Sequence, residues 1–109
     1  MTTKPNRGDV WLVDLGMAAK VRPCLVLSIP ADGENDRVLT TLVPHTTSIR
    51  GSRFEVASDV RFLKSGAFDA QNVITIPAVK LVRRLVRLPD DQFAVVERTL
   101  KRWLGFTGD

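Results

Sequence analysis

The sequence predicts a mainly β protein with one α-helix, built as a small antiparallel barrel of five to seven short strands followed by a C-terminal helix. Short segments rich in β-branched and apolar residues, bounded by Gly, Pro or polar turns, recur up to Pro89. Helical periodicity does not separate them, which favours an antiparallel barrel over a parallel sheet. Apolar residues at spacings of three and four appear only after Pro89.

The strands are predicted in order from these segments. The first two, separated by a polar turn, should pair as an antiparallel hairpin. A turn cluster at 30–36 precedes the third strand, and proline should end both the third and the fifth. The predicted strands are Val10–Val13, Cys24–Leu27, Arg37–Val43 (ended by Pro44), Phe54–Val56, Asn72–Ile76 (ended by Pro77) and a short Arg84–Leu88.

The helix is predicted to start at Pro89, where the missing N–H would be unpaired in any case, followed by two acidic residues that favour the positive end of the helix dipole. Gly105 is the natural end of this helix. Its apolar stripe, Phe93, Val96, Leu100 and Trp103, should pack against the barrel.

Length and composition predict one domain over residues 1–109, with residues 1–6 as a flexible lead-in. The chain has 109 residues, 44% of them apolar and 26% charged, which disfavours disordered and coiled-coil classes. The lone cysteine, Cys24, lies in an apolar run and excludes an internal disulfide, consistent with a reducing cytoplasm. The sequence has neither a signal peptide pattern nor an apolar run of membrane-spanning length.

The charge balance leans towards an anionic partner. The net charge is +4, and basic residues concentrate in 80–102 and in 50–64. An equally good interpretation is solvated surface charge that only keeps the protein soluble. A metal-dependent mechanism is disfavoured, because the sequence has one His and one Cys and no HExxH, CxxC or clustered acidic motif. A Cys24–His45 nucleophile pair is disfavoured, since a thiol inside an apolar strand is usually inert.

Arginine and hydroxyl residues remain as candidates, chiefly Arg22 and the run Thr46-Thr47-Ser48. A guanidinium can fork onto phosphate oxygens and stabilise the charge that grows on a phosphodiester during its cleavage. RNA brings its own nucleophile, the 2′-hydroxyl, so a protein that cuts it need only align groups and move protons.

Several segments together resemble the MazF/PemK family of toxin endoribonucleases, in matching order and spacing. They are the Arg7-Gly8-Asp9 start, Arg22-Pro23, Pro44-His45-Thr46-Thr47-Ser48, Gly51-Ser52-Arg53-Phe54, the run before Pro77, 83–88 and the terminal helix. The resemblance implies an SH3-like barrel and a metal-independent, cofactor-free and sequence-specific endoribonuclease that leaves 2′,3′-cyclic phosphate and 5′-hydroxyl ends. It also implies a homodimer that acts on single-stranded RNA and is inhibited by an antitoxin with an acidic tail.

The resemblance assigns roles to particular residues. Arg22 and Thr46 match the catalytic pair of the family. Thr47, Asp69, Gln71 and His45 are possible auxiliary residues, and Lys20, Ser48, Arg50, Arg53 and Thr75 are candidates for RNA binding. His45 is more simply explained as a structural residue, because side chains alternate along a strand and its ring should point away from Thr46. Phe54 is the aromatic residue best placed for exposure.

Three departures from the family pattern keep another function open. Ile74 replaces a common Arg, Gln71 lies where PemK-like members have an Asp, with Asp69 as a possible substitute, and the 16–21 segment is short. The alternative is a module without catalysis on the same barrel, which binds RNA or, like the CcdB toxins, binds protein.

Overall fold

The computed structural model describes residues 4–16, 20–61 and 63–106. It contains seven strands, two short 3₁₀ helices (Ala70–Asn72 and Ala78–Lys80) and one α-helix. The strands are β1 (Asp9–Asp14), β2 (Val21–Val26), β3 (Leu39–Thr46), β4 (Glu55–Ala57), β5 (Ala67–Asp69), β6 (Ile74–Pro77) and β7 (Leu81–Arg87), and the helix is α1 (Asp90–Leu104). The predicted mainly β fold with a C-terminal helix is confirmed.

All the strands pair antiparallel in the order β4–β5–β3–β2–β1–β7, and β6 also pairs with β3. The predicted β1–β2 hairpin is confirmed, with Trp11 opposite Cys24. β3 is the central strand, because residues 39–42 pair with β6 and residues 45 and 46 pair with β5. Within the described residues no pairing joins β7 to the β4 end, so the predicted antiparallel sheet is not closed into a complete barrel.

Alternation along the strands divides the buried residues between two clusters. Neighbouring β1 residues Val10 and Trp11 belong to different clusters. The first cluster packs against α1 and contains Val10, Leu25, Leu27, Val43, Phe68, Leu88 and Val96. The second contains Trp11, Val13, Cys24, Val26 and Leu42. Each of β1, β2 and β3 therefore has buried residues on both of its faces.

The helix follows its sequence signals closely. Pro89 is the N-cap, and Gly105 ends the helix in the left-handed conformation at φ 74°. Phe93, Val96 and Leu100 of the predicted stripe pack on the first cluster. Trp103 remains 44% exposed and packs on Phe54 instead, with ring centroids 5.3 Å apart.

Two strand predictions were wrong. Pro44 does not end β3, which continues to Thr46. Its missing N–H is tolerated because β3 changes its partner on one side at this point. The pairing with β6 ends at Leu42, and the pairing with β5 begins at His45. The sequence analysis also missed β5, whose three residues are ordered by pairing with β3 and β4 rather than by a local pattern. Asn72, predicted to start a strand, ends a 3₁₀ helix.

A buried carboxylate on β1 helps to hold the first strand of the chain against the last one, β7. The carboxylate of Asp9 is 2% exposed and forms ion pairs with Arg84, whose Nε lies 3.2 Å away, and with Arg87, whose guanidinium nitrogen lies 3.7 Å away. Asp9 also accepts the Asn6 backbone N–H at 3.1 Å. Nearby in the sequence, Lys4 forms an ion pair with Asp32. Asp9 therefore links residues before β1 to the last strand.

Gly66 allows β5 to lie close against the end of β3. A Cβ at Gly66 would lie 2.2 Å from the Thr46 carbonyl oxygen and 2.8 Å from His45 Cε1. We expect Gly66→Ala to lower the free energy of unfolding by about 1–3 kcal/mol, because the added methyl must push the two strands apart. Urea denaturation of Gly66→Ala, with the exposed neighbour substitution Ser65→Ala as control, measures this effect. Equal stability of Gly66→Ala and wild type would contradict the close approach.

Candidate functional site

The β2–β3 register brings together the two residues that the sequence analysis ranked first. Cys24 pairs with Pro44, Leu25 with Val43 and Val26 with Leu42. Continuing this antiparallel register by two residues places Arg22 opposite Thr46, and directly opposed residues in such a pair project to the same face. Both side chains line the same two pockets. The guanidinium and the hydroxyl therefore share one site.

A local turn fixes the Thr46 hydroxyl. The Ser48 backbone N–H donates a hydrogen bond to Thr46 Oγ1 at 3.0 Å, the pattern by which a threonine starts a turn at the end of a strand. The hydroxyl in turn donates to the Ser48 carbonyl at 3.5 Å, a long hydrogen bond that a ligand oxygen can replace. Ser48 and Thr47 follow in the same turn and are exposed.

The larger of the two pockets, of about 410 Å³, is lined by both polar and apolar residues. Arg22 is half-buried here, and no carboxylate in residues 4–16, 20–61 or 63–106 forms an ion pair with it. Lys64 adds a second cation that the sequence analysis did not assign to the site. The pocket is lined by Leu12, Val21, Arg22, Pro23, His45, Thr46, Thr47, Ser48, Leu63, Lys64 and Leu85.

The smaller pocket, of about 230 Å³, adds acidic and amide groups to Arg22 and Thr46. It is lined by Arg22, Pro44, Thr46, Ser48, Arg50, Asp69 and Asn72. Asp69 accepts the Gln71 backbone N–H at 3.2 Å, which caps the 3₁₀ helix that follows β5. Gln71 itself lines a neighbouring pocket of about 240 Å³ with Arg50 and Asp69. Asn72 was missed because the sequence analysis placed it inside a strand.

His45 lines the larger pocket but is almost fully buried. Its side chain is 3% exposed, its Nε2 lies 2.8 Å from Ser58 Oγ, and its ring meets Phe68 edge-on at 5.3 Å. Burial lowers the pKa of His45 below 6.5, and the positive charge of Arg22 lowers it further. Burial likewise raises the pKa of Cys24 to about 12, against a smaller opposing effect of Arg22. The Cys24 thiol is therefore not a ready nucleophile at neutral pH, whereas His45 is neutral there and its Nε2 is engaged with Ser58.

Three predicted RNA-binding residues do not line these pockets. Lys20 is exposed with φ 54°, and its amide donates to the Gly16 carbonyl at 2.6 Å. Arg53 lies over the Phe54 ring, 4.6 Å from the centroid. Thr75 Oγ1 lies 2.8 Å from Thr41 Oγ1, on the β6 side of β3.

The prediction that Phe54 is exposed was wrong. Its ring is 7% exposed and lies between Arg53 and Trp103. The short 16–21 segment, which the resemblance places beside the RNA groove, includes residues 17–19, which lie outside the described residues.

The described residues contain no group of three His, Cys, Asp or Glu side chains that could hold a metal ion. In the same part of the chain, the one α-helix is too short and polar to cross a membrane.

Solved structures of similar fold place this geometry in context. The chain superposes on a MazF from Deinococcus radiodurans with a TM-score of 0.78 and 29% identity, covering 95% of this chain and 99% of the other. A MazE–MazF complex from the same organism matches with a TM-score of 0.79, 26% identity and coverage of 95% and 98%. An endoribonuclease in complex with its cognate antitoxin from a mycobacterial species matches with a TM-score of 0.81, 25% identity and coverage of 96% and 99%.

A comparison with curated protein sequences finds no match. A family model, described as the PemK-like, MazF-like toxin of type II toxin–antitoxin systems, matches residues 6–104. This match spans all seven strands and the helix, including both strands that carry Arg22 and Thr46. The chain therefore belongs to the PemK-like, MazF-like family of type II toxin–antitoxin toxins.

Proposed function

We propose that this toxin is a metal-independent endoribonuclease that cuts single-stranded RNA. The observation that carries the proposal is that Arg22 and Thr46 line the same two pockets. The matched mycobacterial protein is itself named an endoribonuclease. A half-buried guanidinium beside a fixed hydroxyl fits a phosphodiester better than a neutral ligand.

In the proposed reaction the RNA supplies the attacking group. The 2′-hydroxyl oxygen bonds to the adjacent phosphorus as the bond from phosphorus to the 5′-oxygen breaks, which leaves a 2′,3′-cyclic phosphate and a 5′-hydroxyl. Arg22 stabilises the extra negative charge on the phosphorane oxygens. The Thr46 hydroxyl donates to one of those oxygens or relays a proton. Asp69, in the smaller pocket, is the candidate acceptor of the 2′-hydroxyl proton, and the departing 5′-oxygen takes up a proton from water.

Binding residues would extend from this centre along the loop after β3. Ser48 and Arg50 line the smaller pocket, and Arg50 continues into the neighbouring one with Gln71. Lys20, Arg53 and Thr75 lie outside these pockets and would contact RNA only further along the strand. Thr47 and Lys64, on the wall of the larger pocket, would contact the nucleotide next to the scissile bond.

The partners follow from the same proposal. The matched Deinococcus structure is a MazE–MazF complex, and the mycobacterial protein is bound to its cognate antitoxin. We infer that an antitoxin with an acidic segment occupies the cationic site of this toxin, because a carboxylate can replace a phosphate on Arg22. We also propose a homodimer as the active form.

Ile74 favours a second candidate, a binding module without catalysis. It packs half-buried on the second cluster, where the family pattern has a common Arg. Incubation of the purified protein with a long RNA in EDTA separates the two functions. Discrete cuts support the enzyme, whereas RNA binding without cuts supports the module.

Substitution of Arg22 tests the proposed centre. We expect Arg22→Ala to lower the rate of RNA cleavage in EDTA by about 10²–10³-fold, because the phosphorane loses its cation. Arg22→Lys keeps the charge without the planar fork and should recover only part of the rate. Arg37→Ala, which removes an exposed cation from the turn before β3, is the control. Full activity and toxicity of Arg22→Ala would refute the proposal.

The hydroxyl of Thr46 is tested separately. We expect Thr46→Val, which is similar in shape but lacks the hydroxyl, to slow cleavage about tenfold to a hundredfold through loss of a hydrogen bond to a charged oxygen. Thr46→Ser restores the hydroxyl and should recover most of the rate. Single-turnover cleavage at saturating enzyme measures the chemical step. If valine and serine were equivalent, the Thr46 hydroxyl would have no role in the reaction.

His45 should behave as a neutral structural residue. As the only histidine, it gives one imidazole signal, and its NMR titration midpoint should fall below 6.5. The unfolded chain then binds this proton more readily than the folded one, so the contribution of His45 to stability is constant above pH 6.5 and falls as the pH drops below it. Urea denaturation across this range should show the fall in wild type but not in His45→Gln. A midpoint at or above 6.5 would contradict this assignment.

A further inference from the structure

Glu55, the first residue of β4, holds the backbone of the loop that precedes it. Its Oε1 accepts the backbone N–H groups of Gly51 at 2.8 Å, Ser52 at 2.9 Å and Arg50 at 3.2 Å. Its Oε2 accepts the Arg50 N–H again, at 3.0 Å. Three consecutive N–H groups thus converge on one carboxylate, an arrangement known as a backbone nest. This carboxylate played no part in the sequence analysis.

The conformation of the loop depends on this convergence. Gly51 has φ 82°, a left-handed conformation that turns successive N–H groups to the same side. Ser52 closes the loop, because its Oγ accepts the Phe54 N–H at 3.0 Å and its carbonyl accepts the Glu55 N–H at 3.1 Å. Hydrogen bonds from the backbone, that of Arg50 first, lower the pKa of Glu55, so the carboxylate is ionised at neutral pH.

The loop carries Arg50 to the proposed RNA site. The side chain of Arg50 is exposed and lines the pocket that contains Arg22 and Thr46, as well as the neighbouring pocket that contains Glu55 itself. An exposed arginine loses considerable rotamer freedom when it binds a phosphate. When the backbone of Arg50 is fixed, the residue loses less conformational entropy on binding, and its side chain is directed towards the site.

We propose that Glu55 is a positioning residue for RNA binding, which holds Arg50 where it can meet a backbone phosphate next to the cleaved bond. This inference rests on the ribonuclease function proposed above. Glu55 does not touch the RNA and takes no part in the chemical step. Substitution of Glu55 should therefore change the affinity for RNA, and it should do so through Arg50.

Whether removal of the Glu55 carboxylate weakens or strengthens RNA binding distinguishes a positioning role from a simple effect of its charge. Removal of a carboxylate near the site makes the surface more positive, and charge alone then predicts equal or tighter RNA binding. Positioning predicts the opposite. Glu55→Gln removes the charge and one of the two strong acceptor oxygens, whereas Glu55→Asp keeps the charge but shortens the reach. Both variants should bind RNA more weakly if the nest matters.

The test uses a mixed-sequence, single-stranded 2′-O-methyl RNA, which lacks the attacking hydroxyl and is not cut. We expect Glu55→Gln and Glu55→Asp to raise the Kd for this RNA about fivefold to tenfold, as the loss of a charge-assisted hydrogen bond suggests. Arg50→Ala should do the same, and should reduce the slope of log K against log salt by about 0.7. The Glu55→Gln/Arg50→Ala double variant should bind no more weakly than Arg50→Ala alone. Glu34→Gln, an exposed carboxylate in the turn before β3, is the charge control.

Hydrogen exchange of the Arg50, Gly51 and Ser52 amides measures the nest independently of RNA, and should accelerate in both Glu55 variants. Gly51→Ala disturbs the same loop through its positive φ without touching the carboxylate, since a Cβ there meets no atom within 4 Å. It should also weaken RNA binding while thermal unfolding shows that the protein remains folded.

The outcomes are distinct. If wild type binds the probe and the Glu55 variants bind it as tightly or more tightly, the positioning role is refuted and the ribonuclease proposal stands. Additive losses in the double variant would likewise refute a role through Arg50. If wild type neither binds the probe nor cuts the unmodified RNA, the proposed function fails and this inference fails with it.

Discussion

The register between β2 and β3 is the constraint on which the site depends. Leu25 and Val43 are fixed opposite each other in the first cluster, and both are fully buried. A slip of one residue would exchange the two faces of a strand and expose its apolar side chains. Burial therefore maintains the pairing, and the pairing brings Arg22 to Thr46. In this molecule the hydrophobic core determines the geometry of a polar site.

Local patterns predicted much of this architecture. The apolar runs of β1 and β2, the stripe of α1 and the helix end at Gly105 were recognisable because each depends on residues close in sequence. β5 was missed because its three residues become a strand only between β3 and β4. The passage of β3 through Pro44 was missed for the same reason, since a change of partner strand leaves no trace in the sequence around the proline.

The site was predictable where motifs carried it, and less so where distant contacts did. Arg22, Thr46 and Asp69 were recognised by resemblance, whereas Lys64 and Asn72 reach the pockets through loops whose course the sequence does not reveal. Glu55 has no distinguishing motif, because its role lies in the backbone groups that it binds. The net charge did not show which basic side chains are free of ion pairs, because Arg84 and Arg87 are both paired with Asp9.

Two arginines of the basic C-terminal part face the buried Asp9, which leaves them less available to an anion. The open edge of the sheet at β7 gives these two arginines, together with Arg83, a second role. Among the described residues β7 pairs on one side only, with β1. Unpaired strand edges can recruit other chains into aggregates, and positive charge is a common protection against this. Arg83, Arg84 and Arg87 make such an association between like-charged edges unfavourable. Neutral substitutions along β7 would remove that gatekeeping and favour amyloid-like strand addition.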